Sequence, residues 1–301
     1  MGSGMSQPQS TDMKGLLLGV GAYASWGVLP LYIHLLKDVP ALQLLAHRVL
    51  WSLLLLTGIV LLLRRGKAML AAARGRTLLY LLASTVMIAI NWIVYIWAVQ
   101  HDHVIEASLG YFMNPLVNVA LGMIVLGERL RRLQGVAVGI AAAGVLVMAA
   151  GGGALWISLS LAVSFSLYGL IRKLAAIDAL GGLTMETLLL APLCLAWLVH
   201  VEQAGAASWG QRLPLDLMLV LAGVVTALPL LMFAAAARRM AYSTLGLLQY
   251  IAPTLQFLMA VLIFGEPLHA AHIVTFALIW TGCGLFAWDM VRASRDAGAG
   301  I

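Results

Sequence analysis

The sequence predicts an all-α membrane protein with ten transmembrane helices, arranged as two five-helix repeats of opposite orientation. Three observations support this fold class. Of the residues, 62% are hydrophobic and only 10% are charged, ten apolar segments have the length of a bilayer span, and the chain resembles itself at a fixed offset. A soluble protein of this length needs more polar residues to cover its surface, so we expect lipid to be its main solvent.

The ten apolar segments approach the roughly 17 to 25 residues that a membrane-spanning helix requires. The predicted spans are residues 15–36, 42–63, 77–98, 104–126, 134–150, 155–171, 183–199, 215–237, 243–264 and 273–291. The first of them is too long for the core of a signal peptide. We therefore expect it to remain as a membrane helix.

The basic residues predict the orientation of these spans. With both termini on one side, all of the 18 Lys and Arg residues except Lys37, Arg48 and Arg212 fall on that side. Because Lys and Arg near helix ends are retained in the cytoplasm, we expect a multi-pass protein of the bacterial inner (plasma) membrane with both termini cytoplasmic. The basic residues form short clusters between apolar runs and no basic face, which argues against nucleic-acid binding.

An internal repeat organises the chain. At an offset of 138 residues several special residues coincide: Pro115 with Pro253, Gly127-Glu128 with Gly265-Glu266, Gly144 with Gly282, and Asn118 with Gln256. Because each copy holds five spans, the second copy must enter the membrane from the opposite side. Inverted repeats recur in secondary transporters, where they support alternating access. Gene duplication without alternating access is the alternative.

The repeat also predicts the division of the chain. Residues 1–13 are expected to be a tag remnant and a disordered cytoplasmic tail, and residues 293–301 a second cytoplasmic tail. Between them we expect a first five-helix repeat over residues 14–151 and a second over residues 152–292.

Four sequence runs carry a family resemblance: HRVLWS, EASLGYFMNPLVNVALGMIVLGERLRRLQ, SFSLYGLIRK and STLGLLQYIAPTLQFLMAVLIFGE. They resemble the RarD group of EamA transporters, in the drug/metabolite transporter (DMT) superfamily. The resemblance covers about residues 14–292 and is most specific from Glu106 to Arg132. It implies ten helices and a central cavity. It implies little about the substrate, because the group is named for chloramphenicol sensitivity.

Arg48 is the most unusual polar residue within a predicted span. It follows Pro40 by eight residues, which places it about 12 Å into a hydrocarbon core about 30 Å thick. Arg at the centre of a membrane helix costs about 2.5–3.5 kcal/mol, so a partner or an aqueous cavity is expected. Glu186 or a helix-end carbonyl are the candidate partners. EamA-type proteins resemble this chain in placing an Arg in the second helix, which fits an anion-binding role and a structural role equally.

A polar stripe surrounds a proline in the fourth predicted span. Tyr111, Asn114 and Asn118 lie at i, i+3 and i+7, which is one helical face. Pro115 lacks an N–H and so frees a carbonyl inside the membrane. The ninth span repeats this pattern with Gln249 and Gln256 around Pro253. We expect helix breaks at both prolines and stripes that line a substrate cavity, the alternative being that the amides hold helices together.

Aromatic residues accompany these amides. Asn91, Trp92 and Tyr95 share a face of the third span, and Tyr168 lies in the sixth. Aromatic walls with a few polar groups suit amphipathic or cationic molecules. The alternative is that these rings serve packing or anchor the helices at the membrane interface.

Three residues are candidates for proton coupling, namely His47, Glu186 and Glu106. The run His101-Asp102-His103 beside Glu106 raises the alternative of a metal-dependent hydrolase. However, no HExxH motif, nucleophile elbow or Walker loop is present in the sequence. We therefore expect no metal, no cofactor and no enzymatic activity.

The functional expectation is a secondary transporter that exports small amphipathic metabolites or drugs by alternating access. Its partners would be a small-molecule substrate and the lipid bilayer, with a monomer as the expected state. A membrane-embedded metal-dependent hydrolase and a passive channel are the alternatives.

Overall fold

The computed structural model describes residues 13–126, 131–150, 154–237, 239 and 248–298. Within these residues every regular element is a helix. The helices are α1 (Met13–Gly27), α2 (Leu29–His34), α3 (Ala41–Leu62), α4 (Gly66–Ala72), α5 (Arg76–Gln100), α6 (Val104–Leu126), α7 (Arg132–Ala150), α8 (Leu155–Leu174), α9 (Ala179–Gln203), α10 (Leu213–Ala237), α11 (Ile251–Leu262) and α12 (Ala270–Gly298).

Many of these helices have the dimensions of membrane spans. Among the described residues, eight helical segments are long and apolar enough to cross a bilayer: Met13–His34, α3 and the six helices from α5 to α10. Helix α11 and the Ala270–Phe286 part of α12 are shorter apolar helices. The chain is therefore an all-helical, multi-pass membrane protein in its described part, and the count of ten spans stays a prediction.

The structure differs from the predicted helices in two places. The first span is two helices, α1 and α2, because Pro30 lies in the first turn of α2 and its ring cannot continue a preceding helix. The short helix α4 was not predicted. The ninth span is described from residue 248 only and is helical from Ile251. The predicted N-terminal tail of residues 1–13, except for Met13, lies outside the described residues, as do residues 127–130 and 299–301.

Helix α9 shows how local sequence fixes a helix start. Asp178 precedes the helix in an extended conformation and accepts a hydrogen bond from the backbone N–H of Gly181 at 3.2 Å. This side chain satisfies one of the donors that a helix leaves unpaired at its N-terminus. The same carboxylate contacts the guanidinium of Arg65 at 2.9 Å. Both partners of this ion pair are about half exposed, so it contributes little to stability.

The chain forms two compact units. Unit 1 joins the chain up to Arg74 to Ile177–Leu255, and unit 2 joins Gly75–Ala176 to the chain from Gln256 onwards. Each unit therefore contains helices from both halves of the sequence. The two five-helix repeats are defined by sequence similarity alone. Their boundary near residue 151 stays a prediction.

Unit 1 is built around helix α10, which packs against α1 and α3, while α9 packs against α3. The rings of Tyr23 and Trp26 on α1 have centroids 5.4 Å apart. Both rings also contact Phe233 of α10, with centroid distances of up to 6.0 Å. The backbones of α10 and α3 also approach closely. A Cβ atom on Gly223 would come within 2.6 Å of the backbone carbonyl carbon of Trp51. Only glycine allows these two helices to pack so closely.

Unit 2 contains a second glycine contact, between α7 and α12. A Cβ atom on Gly282 would lie 2.6 Å from the carbonyl oxygen of Ala137, and one on Gly144 would lie 3.1 Å from that of Thr275. The Thr275 hydroxyl also donates to the carbonyl of Gly144 at 3.0 Å. Gly144 and Gly282 are a pair that the internal repeat aligns. Their shared position explains why both copies carry glycine there.

A buried carboxylate caps helix α6 in unit 2. The side chain of Glu266, 6% exposed, accepts hydrogen bonds from the backbone N–H groups of Val104 and Ile105 at 2.7 and 2.8 Å. Burial raises the pKa of Glu266 above its ordinary value of 4.5, the two hydrogen bonds lower it, and the charges of Glu106 and Asp102 raise it. The net direction is upward, because burial is the largest of these effects.

This raised pKa predicts how stability depends on pH. A carboxyl group whose pKa is higher in the folded state stabilises that state below its unfolded pKa, and this contribution is lost as pH rises through the folded pKa. Glu266→Gln keeps an acceptor oxygen but does not ionise. We expect the thermal midpoint of the wild type, relative to Glu266→Gln, to be highest near pH 4.5 and to fall as pH rises. The exposed Glu202→Gln is the control. A difference in thermal midpoint between the wild type and Glu266→Gln that grows with pH would contradict the assignment.

Candidate functional site

Asn91 lies at the centre of a polar cluster in unit 2. It belongs to α5, is 1% exposed, and its Nδ2 donates to the carbonyl of Leu161 and the hydroxyl of Ser164 on α8, both at 3.1 Å. Its Oδ1 accepts a hydrogen bond from the Tyr111 hydroxyl of α6, also at 3.1 Å. One amide therefore connects three helices. Its hydrogen-bonding capacity is largely used by protein groups, which gives Asn91 a positioning role in the cluster.

Aromatic rings surround this amide. The ring of Tyr111 lies 5.6 Å from that of Tyr95 and 5.9 Å from that of Phe165, which in turn lies 6.1 Å from Tyr168. Tyr95 is buried, whereas Tyr111 and Tyr168 are partly exposed. The structure thus brings together Asn91, Tyr95, Tyr111 and Tyr168, which the sequence predicted as separate candidates. Trp92 is partly exposed on the same helix as Asn91.

Asn114 contributes a buried amide one turn further along α6. Its side chain is 5% exposed, and its Oδ1 makes no hydrogen bond to the described part of the chain. A buried polar atom without a partner is costly, so this oxygen marks a place where a substrate or water can bind. Its backbone carbonyl accepts a hydrogen bond from Ser166 at 3.4 Å. Asn118, which was predicted to lie on the same polar stripe, is exposed.

The helix break predicted at Pro115 is wrong, whereas the chain makes a turn at residues 249 and 250, just before Pro253. Helix α6 continues without interruption through Pro115, so this proline removes one hydrogen bond but does not end the helix. Pro253 is the third residue of α11, in the first turn, where its missing N–H is tolerated. Gln249 precedes that helix in a turn and is partly exposed, while Gln256 lies within it and is 2% exposed. Pro192 and Pro229, which the sequence reasoning passed over, also lie inside helices.

Arg48 lies in unit 1 with a partner that the sequence did not predict. It is 4% exposed on α3, and its Nε donates to the hydroxyl oxygen of Thr226 on α10 at 3.1 Å. Thr226 donates in turn to the carbonyl of Ala222 at 2.8 Å. The predicted partner Glu186 is 1% exposed within α9 of the same unit. A threonine inside an apolar run gives little signal in the sequence, which is why Thr226 was missed.

The remaining coupling candidates, His47 and Glu106, are both buried. His47 precedes Arg48 on α3, is 5% exposed, and stacks on Trp209 at 5.4 Å between ring centroids. Glu106 lies in the first turn of α6 and is 6% exposed, with its Oε1 at 3.4 Å from Nδ1 of His103. Among the described residues, no group of three or more His, Cys, Asp and Glu residues is arranged to hold a metal ion.

Comparison with known proteins places the chain in a family. The EamA-like transporter family matches residues 13–150. Protein RarD of Salmonella typhi is 45% identical over 94% of this chain and 97% of its own length. An uncharacterized transporter of Vibrio cholerae is 42% identical over 97% of this chain and 98% of its own length. A chloramphenicol-sensitive protein RarD of Pseudomonas aeruginosa is 36% identical over 94% and 96%.

A solved crystal structure shares the fold. It is 20% identical in sequence, has a TM-score of 0.59, and the match covers 93% of this chain and 99% of that one. An all-helical fold with apolar helices of membrane-spanning length is that of a multi-pass membrane protein, and the matching family is one of transporters. The chain belongs to the RarD group of the EamA family, within the drug/metabolite transporter superfamily. The family resemblance predicted from the sequence is thereby confirmed.

Proposed function

We propose that this protein is a secondary transporter that exports small amphipathic metabolites or drugs across the bacterial inner membrane, with both termini in the cytoplasm. The observation that carries the proposal is the buried Oδ1 of Asn114, which has no partner in the described part of the chain and lies on the helix of Tyr111. An amide oxygen beside aromatic rings suits a ligand with an apolar body and a hydrogen-bond donor.

The transport mechanism that we propose is alternating access. Its support is the inverted repeat of the sequence, because two copies of opposite orientation allow one chain to adopt inward-facing and outward-facing states of similar energy. Energy would come from a proton gradient or from the gradient of the substrate itself. The candidates for proton binding in the first case are the buried residues His47, Glu186 and Glu106.

The first experiment is a search for ligands with the purified full chain. A compound that binds the folded state raises the thermal midpoint, by an amount that grows with the logarithm of its concentration over Kd. The screen would include chloramphenicol, since a relative of this chain is named for sensitivity to it. Each hit would then be tested for flux in proteoliposomes with and without a proton gradient. A broad screen without a ligand, together with absent flux, would overturn the proposal.

Asn114 gives a sharper test of the binding site. We expect Asn114→Leu to weaken binding of any hit about five- to tenfold, because the substitution removes the acceptor while preserving an apolar side chain of similar size. Asn118→Ala and Gln256→Ala are expected to change apparent affinity less. The measurement is the Kd derived from the rise of the thermal midpoint with ligand concentration. Unchanged affinity in all three variants would exclude this site.

A further inference from the structure

A cavity lies in unit 1. It has a volume of about 460 Å³ and is lined by α3, the end of α9 and the segment that follows α9. Small-molecule sites typically measure about 300–1,000 Å³. Leucine side chains supply most of its apolar lining, and Leu54 among them is 62% exposed on a membrane-spanning helix. A molecule dissolved in the lipid therefore has a route into the α3–α9 cavity.

The wall formed by the segment after α9 is fixed in place. Gln43 of α3, 3% exposed, donates from Nε2 to the carbonyl of Ala206 at 3.0 Å and accepts from the N–H of Ser208 at 2.9 Å. These two hydrogen bonds hold the segment against α3. As a result, the indole of Trp209 stacks on His47 and lies 5.7 Å from the indole of Trp51. Three aromatic rings thus form one side of the cavity.

The imidazole of His47 is the polar group of this wall. The residue is 5% exposed, and its Nε2 makes no hydrogen bond within the described part of the chain. Buried polar atoms in folded proteins nearly always have a partner. His47 is itself among the residues that line the cavity, beside the stacked indole of Trp209. This wall therefore contains one buried polar atom, Nε2 of His47, to which a ligand would hydrogen-bond.

The chemistry of the ligand follows from these groups. We propose that the α3–α9 cavity binds a small uncharged molecule with an aromatic body and a hydroxyl group, which hydrogen-bonds to Nε2 of His47. A hydroxyl both donates and accepts, so it matches either tautomer of the imidazole. The exposed carboxylate of Glu202 also lines the cavity and disfavours anions, including the phosphate of a lipid headgroup. The residues that line the cavity differ from those of the Asn91 cluster.

The test measures equilibrium binding to the full chain in phosphatidylcholine nanodiscs, without any gradient, so its result does not depend on transport. The ligands are radiolabelled 2-naphthol, naphthalene, which lacks the hydroxyl, and 2-naphthoate, which is anionic. Empty nanodiscs give the partition into lipid. We expect saturable binding of 2-naphthol above that background, weaker binding of naphthalene, and the weakest binding of 2-naphthoate. In Glu202→Gln the difference in affinity between 2-naphthol and 2-naphthoate should become smaller.

Substitution of His47 distinguishes specific binding in the cavity from partition of the ligand into the lipid. His47→Phe keeps a ring against Trp209 but removes Nε2, and should weaken 2-naphthol binding about five- to tenfold without affecting naphthalene. His200→Phe, at the exposed end of α9, is the matched control and should bind like the wild type. If His47→Phe does not fold, His47→Gln, which keeps a donor and an acceptor, should retain binding within about twofold.

Three outcomes would overturn the proposal. The first is an absence of saturable 2-naphthol binding above empty nanodiscs. The second is equal affinity in His47→Phe and His200→Phe. The third is a phospholipid that native mass spectrometry finds bound to the wild type and lost from His47→Phe, because the occupant would then be a lipid.

Discussion

Substitution of Arg48 by Ala is expected to lower transport by about ten- to a hundredfold. The guanidinium is buried on a membrane-spanning helix and donates to Thr226 at 3.1 Å. Hydrogen bonds to charged groups contribute roughly 1.5–3 kcal/mol, which corresponds to this range of rate or affinity. Arg48→Lys retains the charge but loses the planar array of donors, so we expect it to retain only part of the activity.

The measurement is initial flux in proteoliposomes, normalised to the amount of folded protein. Arg65→Gln is the control, since it removes a cation of the same unit whose ion pair with Asp178 is half exposed. We expect Arg65→Gln to change flux less than twofold. If Arg48→Ala transports as well as Arg65→Gln, then Arg48 has no role in transport. If Arg48→Ala is unstable while Arg48→Lys is stable and inactive, the charge alone maintains the fold and the donor array is required for transport.

Gly223→Ala should cause a large loss of stability, although it adds only one carbon atom. The new Cβ would lie 2.6 Å from the backbone carbonyl carbon of Trp51, and a backbone atom cannot rotate away. Helices α3 and α10 would have to separate, which also stretches the contact of Arg48 with Thr226. Overpacking of this kind costs typically about 1–3 kcal/mol. We expect a clearly lower thermal midpoint in detergent and reduced transport.

Gly58 provides the matched control for this prediction. It lies on α3, and a Cβ atom there would meet no atom within 4 Å. Since alanine is a better helix former than glycine by about 0.5–1 kcal/mol, Gly58→Ala should be as stable as the wild type or more stable. Equal thermal midpoints for the two variants would show that α3 and α10 do not pack as closely as described.

The sequence predicted the helices well where they are uninterrupted apolar runs. Helices α3, α5 and α6 begin and end within two residues of the predicted spans, because burial in lipid requires a run of apolar residues of fixed length. The division between α1 and α2 was missed although Pro30 signals it. Helix α4 was missed because a seven-residue helix outside the apolar runs has no periodic pattern to detect.

The sequence predicted the polar residues of the candidate site but not how they pair. Asn91 and Tyr111 stood out as polar residues in apolar runs, yet their hydrogen bond depends on the packing of two helices. The partner of Arg48 lies 178 residues away in sequence, and nothing in the local pattern distinguishes Thr226 from other hydroxyl residues. The glycine pair of α7 and α12 was found, because the internal repeat aligns Gly144 with Gly282.

The most direct test of the proposed function is counterflow in proteoliposomes. Vesicles loaded with an unlabelled compound from the stability screen are diluted into a trace of the same compound with a radiolabel, with no ion gradient present. Alternating access predicts saturable uptake of label, transiently above equilibrium, that disappears when the vesicles are not preloaded. Uptake that rises linearly with concentration and does not respond to preloading would contradict the account and indicate a passive channel.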